Sequence, residues 1–276
     1  MKNLIRFGTD GFRGITGFDF TIDKINVISN GVSKYLLNNF EKKSNKTEKT
    51  VMPKVVIGYD TRFLSEKFAE SAADVFVKNG INTILSENFI TSPALSHAVV
   101  DKKADLGVMI TASHNPYYYN GYKLKGCYGG SATIDIIKDI ETEVNSIKHA
   151  NNNVKISLIE NNSKAGTISK DIKDSNLSEN LLNVADFNSN YKDFIFSLID
   201  TEKIKKKFNF PLVLDPMYGA GQGFFRKIIE EMGNSKIFEI HNNINASFGG
   251  INPEPIGDNL NDSIKLIKSK SCKLAL

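Results

Sequence analysis

Short apolar runs alternate with longer segments of helical periodicity along this chain, and no other sequence feature constrains the fold as strongly. Runs rich in β-branched residues predict buried strands at 54–58, 82–85 and 106–110. Apolar residues at three- and four-residue spacing predict helices at 23–40, 65–79, 93–100 and 134–147. Such alternation favours an α/β/α sandwich around a mixed, mostly parallel sheet.

The same alternation returns after a stretch rich in Asn, Ser and Lys. It predicts strands and helices at 212–215, 223–232, 236–240, 258–268 and 272–276. We therefore expect two consecutive α/β/α domains, over 1–150 and 191–276, joined by a linker over 151–190. The second domain is expected to be truncated, because α/β domains usually place functional groups in the loop that follows a strand.

Composition narrows the class of protein. A chain with 41% hydrophobic and 24% charged residues is typical of a soluble globular protein, and no apolar run approaches the ~20 residues of a membrane helix. The N-terminal apolar run is too short for a signal peptide, so a cytoplasmic protein without membrane contacts is expected. The net charge of +4 comes from dispersed lysines with interleaved acids, which favours a solvated surface over nucleic-acid binding.

A turn at 111–116, Thr-Ala-Ser-His-Asn-Pro, follows the predicted strand at 106–110. Ser113 is thereby presented at a strand end, where a serine can carry a phosphoryl group if a base, a metal and phosphate-binding donors converge on it. The alternative is a side chain that closes its own turn through local backbone hydrogen bonds, as in most Ser-x-Asn-Pro sequences.

This turn resembles the active-site loop of the α-D-phosphohexomutases, the phosphoglucomutase/phosphomannomutase type, whose Thr-Ala/Gly-Ser-His-Asn-Pro motif carries a phosphorylated serine. Further similarity to the family lies in segments 7–14, 59–65, 120–123, 215–223 and 248–255. The resemblance spans nearly the whole chain apart from the linker. It implies an enzyme that interconverts hexose 1-phosphate and hexose 6-phosphate through a 1,6-bisphosphate.

The resemblance also implies the catalytic residues. Ser113 would carry the phosphoryl group, Arg13 and His114 would surround it, and Lys123 would transfer the proton of the reacting hydroxyl. The planar guanidinium of Arg13 suits bidentate contacts with phosphate oxygens. Lys123 can act as a base only if its surroundings lower its pKa toward neutrality; otherwise it pairs with phosphate or stays a surface charge.

Thr9, Asn115 and Arg62 are the residues expected to bind substrate or its phosphate. For Arg62 the residues themselves leave an alternative open, in which it pairs with Asp60 while Ser65 caps the following helix. Segment 215–223 follows a strand and opens a helix, where a phosphate-cradling loop could lie. It does not fit a dinucleotide fingerprint, because the third glycine of that motif would fall on Phe224.

Cofactors follow from the resemblance too. The family holds Mg²⁺ between the phosphoserine, here the phosphate on Ser113, and three aspartates of an Asp-Gly-Asp-x-Asp-Arg loop that this sequence does not contain. A hexose phosphate is the expected substrate, with a glucose 1,6-bisphosphate-type activator, and the choice between glucose and mannose stays open. The chain alone is expected to have little or no mutase activity. The alternative is a non-catalytic remnant that binds sugar phosphate or a partner chain.

Overall fold

A computed structural model describes residues 5–8, 11–43, 52–151, 181–234 and 236–276. A six-stranded sheet dominates the first unit. Its strands are β1 (Phe12–Ile15), β2 (Lys54–Tyr59), β3 (Asn82–Ser86), β4 (Leu106–Ile110), β5 (Tyr119–Gly126) and β6 (Leu182–Ala185), in the order β1-β5-β4-β2-β3-β6. β6, β3, β2 and β4 run parallel, whereas β5 is antiparallel to both β4 and β1. The expected mixed, mostly parallel sheet is confirmed.

Helices cover both faces of this sheet. They are α1 (Ile22–Lys43), α2 (Ser65–Lys78), α3 (Ser92–Asp101), α4 (Ile134–Asn151) and α5 (Phe187–Leu198). One apolar core joins α1, α2 and α4 to the sheet, and a second core joins α3 and the start of α5 to the opposite face. This produces the three layers of an α/β/α sandwich. None of the described helices combines the length and the apolar character that crossing a bilayer requires.

The second unit repeats the architecture on a smaller scale. Its parallel strands are β7 (Leu212–Leu214), β8 (Ile237–Glu239) and β9 (Leu274–Ala275), in the order β8-β7-β9. Its helices are α6 (Thr201–Lys207), α7 (Phe224–Glu231) and α8 (Asn261–Ser269). A third core packs α7 against β7 and β8, and Tyr191 on α5 contacts this core and the second one alike. Helix α5 therefore ties the two units together.

The linker expected over 151–190 differs from what the structure shows in its last part, while 152–180 lie outside the described residues. Residues 182–185 form β6, which pairs in parallel with β3, and α5 begins at Phe187. The first sheet thus includes residues well beyond position 150. Four residues flanked by polar segments give too short a periodic signal to predict such an edge strand.

Candidate active site

Ser113 lies just beyond the carboxyl end of β4. All five residues of β4 are buried, as are Thr111 and Ala112, whereas Ser113 is exposed. Its φ of 60° is left-handed, which costs a non-glycine residue about 1 kcal/mol, so its surroundings must hold it there. The hydroxyl that closes the turn belongs to Thr111, whose Oγ1 accepts the Ser113 N–H at 3.0 Å. The hydroxyl of Ser113 is thus presented outward from a turn that another side chain closes.

Asp60 organises the base of this turn. It follows β2, whose carboxyl end lies beside that of β4, and its Oδ2 accepts the Thr111 hydroxyl at 2.6 Å. Its Oδ1 accepts the Ser65 hydroxyl at 2.7 Å and the Arg62 N–H at 3.0 Å. Ser65 in turn accepts the Asn120 amide at 2.9 Å. One largely buried carboxylate therefore connects the loops that follow two neighbouring strands.

Arg62 reaches over the same turn with its guanidinium. Nη1 donates to the carbonyl oxygens of Pro116 at 2.9 Å and Tyr119 at 3.1 Å. Nη2 donates to those of Ser113 and Asn115, both at 2.7 Å. The terminal N–H groups that were expected to hold a phosphate donate to backbone carbonyl oxygens here, and binding of substrate phosphate by Arg62 stays a prediction.

The alternative interpretation of this segment is only half correct. Arg62 does pair with Asp60, with Nε 3.2 Å from Oδ2. The capping role of Ser65 is wrong, because α2 begins after Leu64, which makes no side-chain capping bond. Burial lowers the pKa of the Arg62 guanidinium, the Asp60 carboxylate opposes that change, and the positive charge of Arg13 adds to it.

Arg13 and Lys123 lie on one face of the sheet near the end of β4. Arg13 on β1 is directly opposite Gly121 on β5, and Lys123 follows Gly121 by two residues. Opposed residues of an antiparallel pair share a face, as do residues two apart on a strand. Two of the predicted catalytic residues are therefore neighbours, and Lys123 is buried, with 8% of its surface exposed.

The remaining predicted site residues, His114, Asn115 and Thr9, differ in their exposure and in whether the structure describes them. His114 is exposed beside Ser113, and Asn115 is partly buried, with its N–H donated to Ala112 O at 3.2 Å. Thr9 lies outside the described residues. The predicted site residues that the structure describes are thus neighbours at one strand end, and their contacts with substrate stay a prediction.

A cavity of about 440 Å³ separates the Ser113 turn from the second unit. Residues from both units line it, among them Asp60, Thr111, Ser113, Asp215 and Phe248. The described residues that line it include neither Arg13 nor Lys123. Ser113 therefore faces a space that could admit a small polar molecule, bordered on its far side by the loop after β7.

That loop is held by Asp215, which follows β7. Its Oδ1 accepts the Met217 N–H at 3.0 Å and lies 2.8 Å from His241 Nδ1, and its Oδ2 accepts the Ser263 hydroxyl. The loop approaches the first unit directly, since Thr61 Oγ1 donates to Tyr218 O at 2.8 Å. Asp215 and Asp60 thus each follow a strand and accept hydrogen bonds that hold the loops of their unit.

The start of α7 has a carboxylate beside it. The N–H of Gly223, immediately before the helix, donates to Glu239 Oε1 at 3.0 Å. A carboxylate already occupies the position where an anion would gain from the helix N-terminus. The phosphate-cradling role considered for segment 215–223 stays a prediction, and part of the segment lines the cavity.

The residues present do not fit a magnesium site by themselves. Within the described ranges, no group of three or more His, Cys, Asp or Glu side chains is placed to hold a metal ion. The two carboxylates of the cavity wall, Asp60 and Asp215, are both engaged by hydrogen-bond donors. Both carboxylates therefore serve the loops around them.

Three residues lie in segments that the sequence singled out, but their supporting contacts were not predicted: Asp60 as the hub of the site, Thr111 and Asn120. One signal was available for Asp60, because it comes directly after β2, the parallel neighbour of β4, and carboxyl ends of parallel strands meet at one edge. The contact of Asn120 carries no such signal. Its partner Ser65 lies 55 positions away, and only the folded chain brings them together.

Comparison with known proteins gives the family. The family model described as phosphoglucomutase/phosphomannomutase, alpha/beta/alpha domain I, matches residues 4–151, and that of alpha/beta/alpha domain II matches residues 189–276. A phosphoglucomutase of Staphylococcus saprophyticus is 36% identical over 153 residues, which is 53% of this chain and 25% of that protein. A phosphoglucosamine/phosphogalactosamine mutase of Sulfurisphaera tokodaii is 27% identical over 270 residues, 98% of this chain and 51% of that protein.

Among solved structures, a proposed phosphomannomutase from Thermus thermophilus superposes with a TM-score of 0.78 at 28% identity, over 100% of this chain and 55% of that one. The fold and the site define a protein of two α/β/α domains with a serine turn between them. The chain belongs to the phosphoglucomutase/phosphomannomutase family, the phosphohexomutases. It spans about half the length, or less, of the relatives it matches.

Proposed function

We propose that this chain carries the phosphoserine of a phosphohexomutase, at Ser113. The observation that carries the proposal is the placement of Ser113, exposed at a strand end, held in a left-handed turn and facing a cavity of about 440 Å³. A nucleophile fixed in this way loses little freedom when a substrate arrives, which favours group transfer. The mutases among its relatives act on sugar phosphates by name, in line with a hexose phosphate substrate.

The proposed reaction has two balanced steps. A hydroxyl of the hexose monophosphate bonds to the phosphorus on Ser113 while the phosphorus–Oγ bond breaks, which gives a hexose 1,6-bisphosphate. Lys123 Nζ, in its uncharged form, accepts the hydroxyl proton, and the leaving Ser113 Oγ takes up a proton from solvent. After the bisphosphate turns around, Ser113 Oγ bonds to its other phosphorus while the bond from that phosphorus to the hexose oxygen breaks, which restores the phosphoserine. The serine proton passes to solvent, and Lys123 Nζ returns its proton to the released hexose oxygen. Arg13, His114 and Asn115 are the proposed phosphate contacts.

Magnesium and a bisphosphate activator belong to this proposal. Mg²⁺, when bound, neutralises charge on the phosphoryl group in transfer, and the described residues contribute to it only the phosphate on Ser113. A glucose 1,6-bisphosphate-type activator would load Ser113 before the first turnover. Turnover by this chain alone is proposed to be slow, because its described residues supply only cationic side chains for charge neutralisation.

The test is phosphorylation of the chain itself. We expect incubation with glucose 1,6-bisphosphate and Mg²⁺ to add one phosphoryl group slowly, and peptide mapping by mass spectrometry to locate it at Ser113. The Ser113→Ala variant should acquire none. Ser131→Ala, at another exposed serine of the first unit, is the matched control and should label like the wild type. Equal labelling of Ser113→Ala, or an unlabelled wild type, would contradict the proposal.

A further inference from the structure

One guanidinium group gives all four of its terminal N–H bonds to a single turn. Arg62 Nη1 and Nη2 reach four carbonyl oxygens between positions 113 and 119, at 2.7 to 3.1 Å. Hydrogen bonds from a charged donor are stronger than neutral ones, and four that converge from one rigid plane fix the relative positions of their acceptors. The turn that presents Ser113 therefore takes its shape from a side chain 51 positions earlier.

The guanidinium is itself held from its other sides. Asp60 lies 3.2 Å from Nε, and the ring of Phe248 in the second unit stacks on the guanidinium at 5.0 Å from its centroid. The residue is buried, with 4% of its surface exposed. A group with this little freedom cannot swing out to meet a substrate, and its contacts suit it to support a turn.

The turn needs such support. Ser113 has a left-handed backbone, which an isolated peptide would leave for a commoner conformation. Of the groups that oppose this, Thr111 binds the Ser113 N–H, and Arg62 binds the carbonyl oxygen of the same residue. Both backbone polar groups of Ser113 are thus fixed by buried side chains that Asp60 connects.

We infer that Arg62 is a positioning residue for phosphoryl transfer, which acts by holding the carbonyl groups of the Ser113 turn so that the phosphate on Ser113 stays against its proposed contacts, Arg13 and His114. The inference rests on the proposed function of Ser113 and adds to it a residue that does not touch the substrate. It also separates charge from geometry: lysine keeps the charge of Arg62 but lacks the planar fork that spans four carbonyl oxygens.

The experiment uses the full chain with phosphoserine encoded at position 113, as wild type and as Arg62→Lys and Arg62→Met. The second phosphate ionisation is followed by phosphorus NMR, and amide exchange is followed over 113–119. In the wild type we expect the phosphoserine pKa to lie below its ordinary value of about 6, because cations favour the dianion. Both variants should raise this pKa toward about 6 and speed amide exchange in the turn about tenfold or more.

Arg226→Lys, a surface arginine of α7 paired with Glu230, is the matched control and should reproduce the wild type. Exchange in β2 should stay slow in all variants, which separates a loosened turn from general unfolding. If Arg62→Lys keeps both the wild-type titration and the wild-type exchange, the fork geometry is irrelevant and the inference fails. A wild-type phosphoserine that titrates at about 6 would instead count against the proposed function of Ser113, whatever Arg62 does.

Discussion

Gly121 lies where three backbone segments come within contact distance. It pairs with Arg13 of β1, and its carbonyl oxygen accepts the Thr111 N–H at 2.8 Å. A β-carbon built on Gly121 would lie 2.5 Å from Thr111 O and 3.2 Å from both Phe12 O and the Arg13 side chain. The missing side chain lets Thr111, which closes the Ser113 turn, approach β5 and the neighbouring Arg13 on β1.

We expect Gly121→Ala to lower the free energy of unfolding by about 2 to 3 kcal/mol, because the new methyl group meets backbone atoms that cannot move aside independently. Chemical denaturation followed by circular dichroism measures this. Gly8→Ala is the matched control, since its β-carbon would meet only Gly11 O, at an ordinary 3.6 Å, and it should change stability by about 0.5 kcal/mol or less. Equal effects of the two substitutions would show that the close approach at Gly121 is unimportant.

At the level of single residues, the sequence predicts the proposed nucleophile better than the residues that hold its turn. Ser113 could be placed at a strand end, because a buried apolar run leads directly into a turn marked by Pro116. The contacts of Arg62 could not be predicted, since a guanidinium suits phosphate and backbone carbonyl groups equally. The carbonyl groups that decide between them belong to a turn more than 50 positions away.

Helix α2 contains a carboxyl group whose partial burial disfavours its ionised form. Asp74 is partly buried, and burial raises its pKa from 3.8 to about 6, with Glu70 adding to the effect and Lys78 opposing it. A raised pKa means that the folded chain holds this proton more tightly than the unfolded chain does. Its contribution to stability is therefore lost as pH rises from about 4 through about 6.

We expect Asp74→Asn to stabilise the protein by about 1 to 2 kcal/mol at about pH 7 and to have little effect near pH 4. A two-unit shift would give about 3 kcal/mol for a fully buried group, and partial exposure reduces it. Denaturant unfolding at several pH values tests the trend. Asp193→Asn, at an exposed carboxylate of α5, should show no such dependence. A stabilisation that shrinks as pH rises would have the wrong sign.

The strands divide into those with a clear sequence signal and those without one. β2 and β4 are apolar runs buried on both faces, and the predicted bounds of β2, β3 and β4 differ from the observed ones by at most one residue. β5 was not predicted, because it includes lysines and glycines whose places in the sheet depend on contacts with β1 and β4. Polar side chains in a strand weaken its local signal at the very position where the proposed chemistry needs them.

For the whole molecule, the segment 60–62 links the two units. Asp60 and Arg62 hold the Ser113 turn, Arg62 stacks on Phe248, and the hydroxyl of Thr61 donates to Tyr218 O across the cavity rim. Three successive residues therefore join the proposed nucleophile of one unit to the loop of the other. A change in how the second unit packs against the first would therefore alter the Ser113 turn, because Arg62 contacts both the turn and Phe248.

We expect Thr61→Val to weaken this docking, since valine has the shape of threonine but leaves Tyr218 O without its donor, at a cost of about 1 to 2 kcal/mol. Amide exchange should then rise in the loop after β7 and, through Arg62, in the turn at 113–119, while β2 and β3 keep their protection. Thr142→Val is the matched control, because the Thr142 hydroxyl also donates to one carbonyl oxygen, that of Lys138, but on an exposed helix face where water replaces it. Faster exchange confined to the loop after β7 would show that the two units are in contact but not coupled. The contacts of Thr61 and Arg62 instead require faster exchange both in that loop and in the turn at 113–119, with neither change in Thr142→Val.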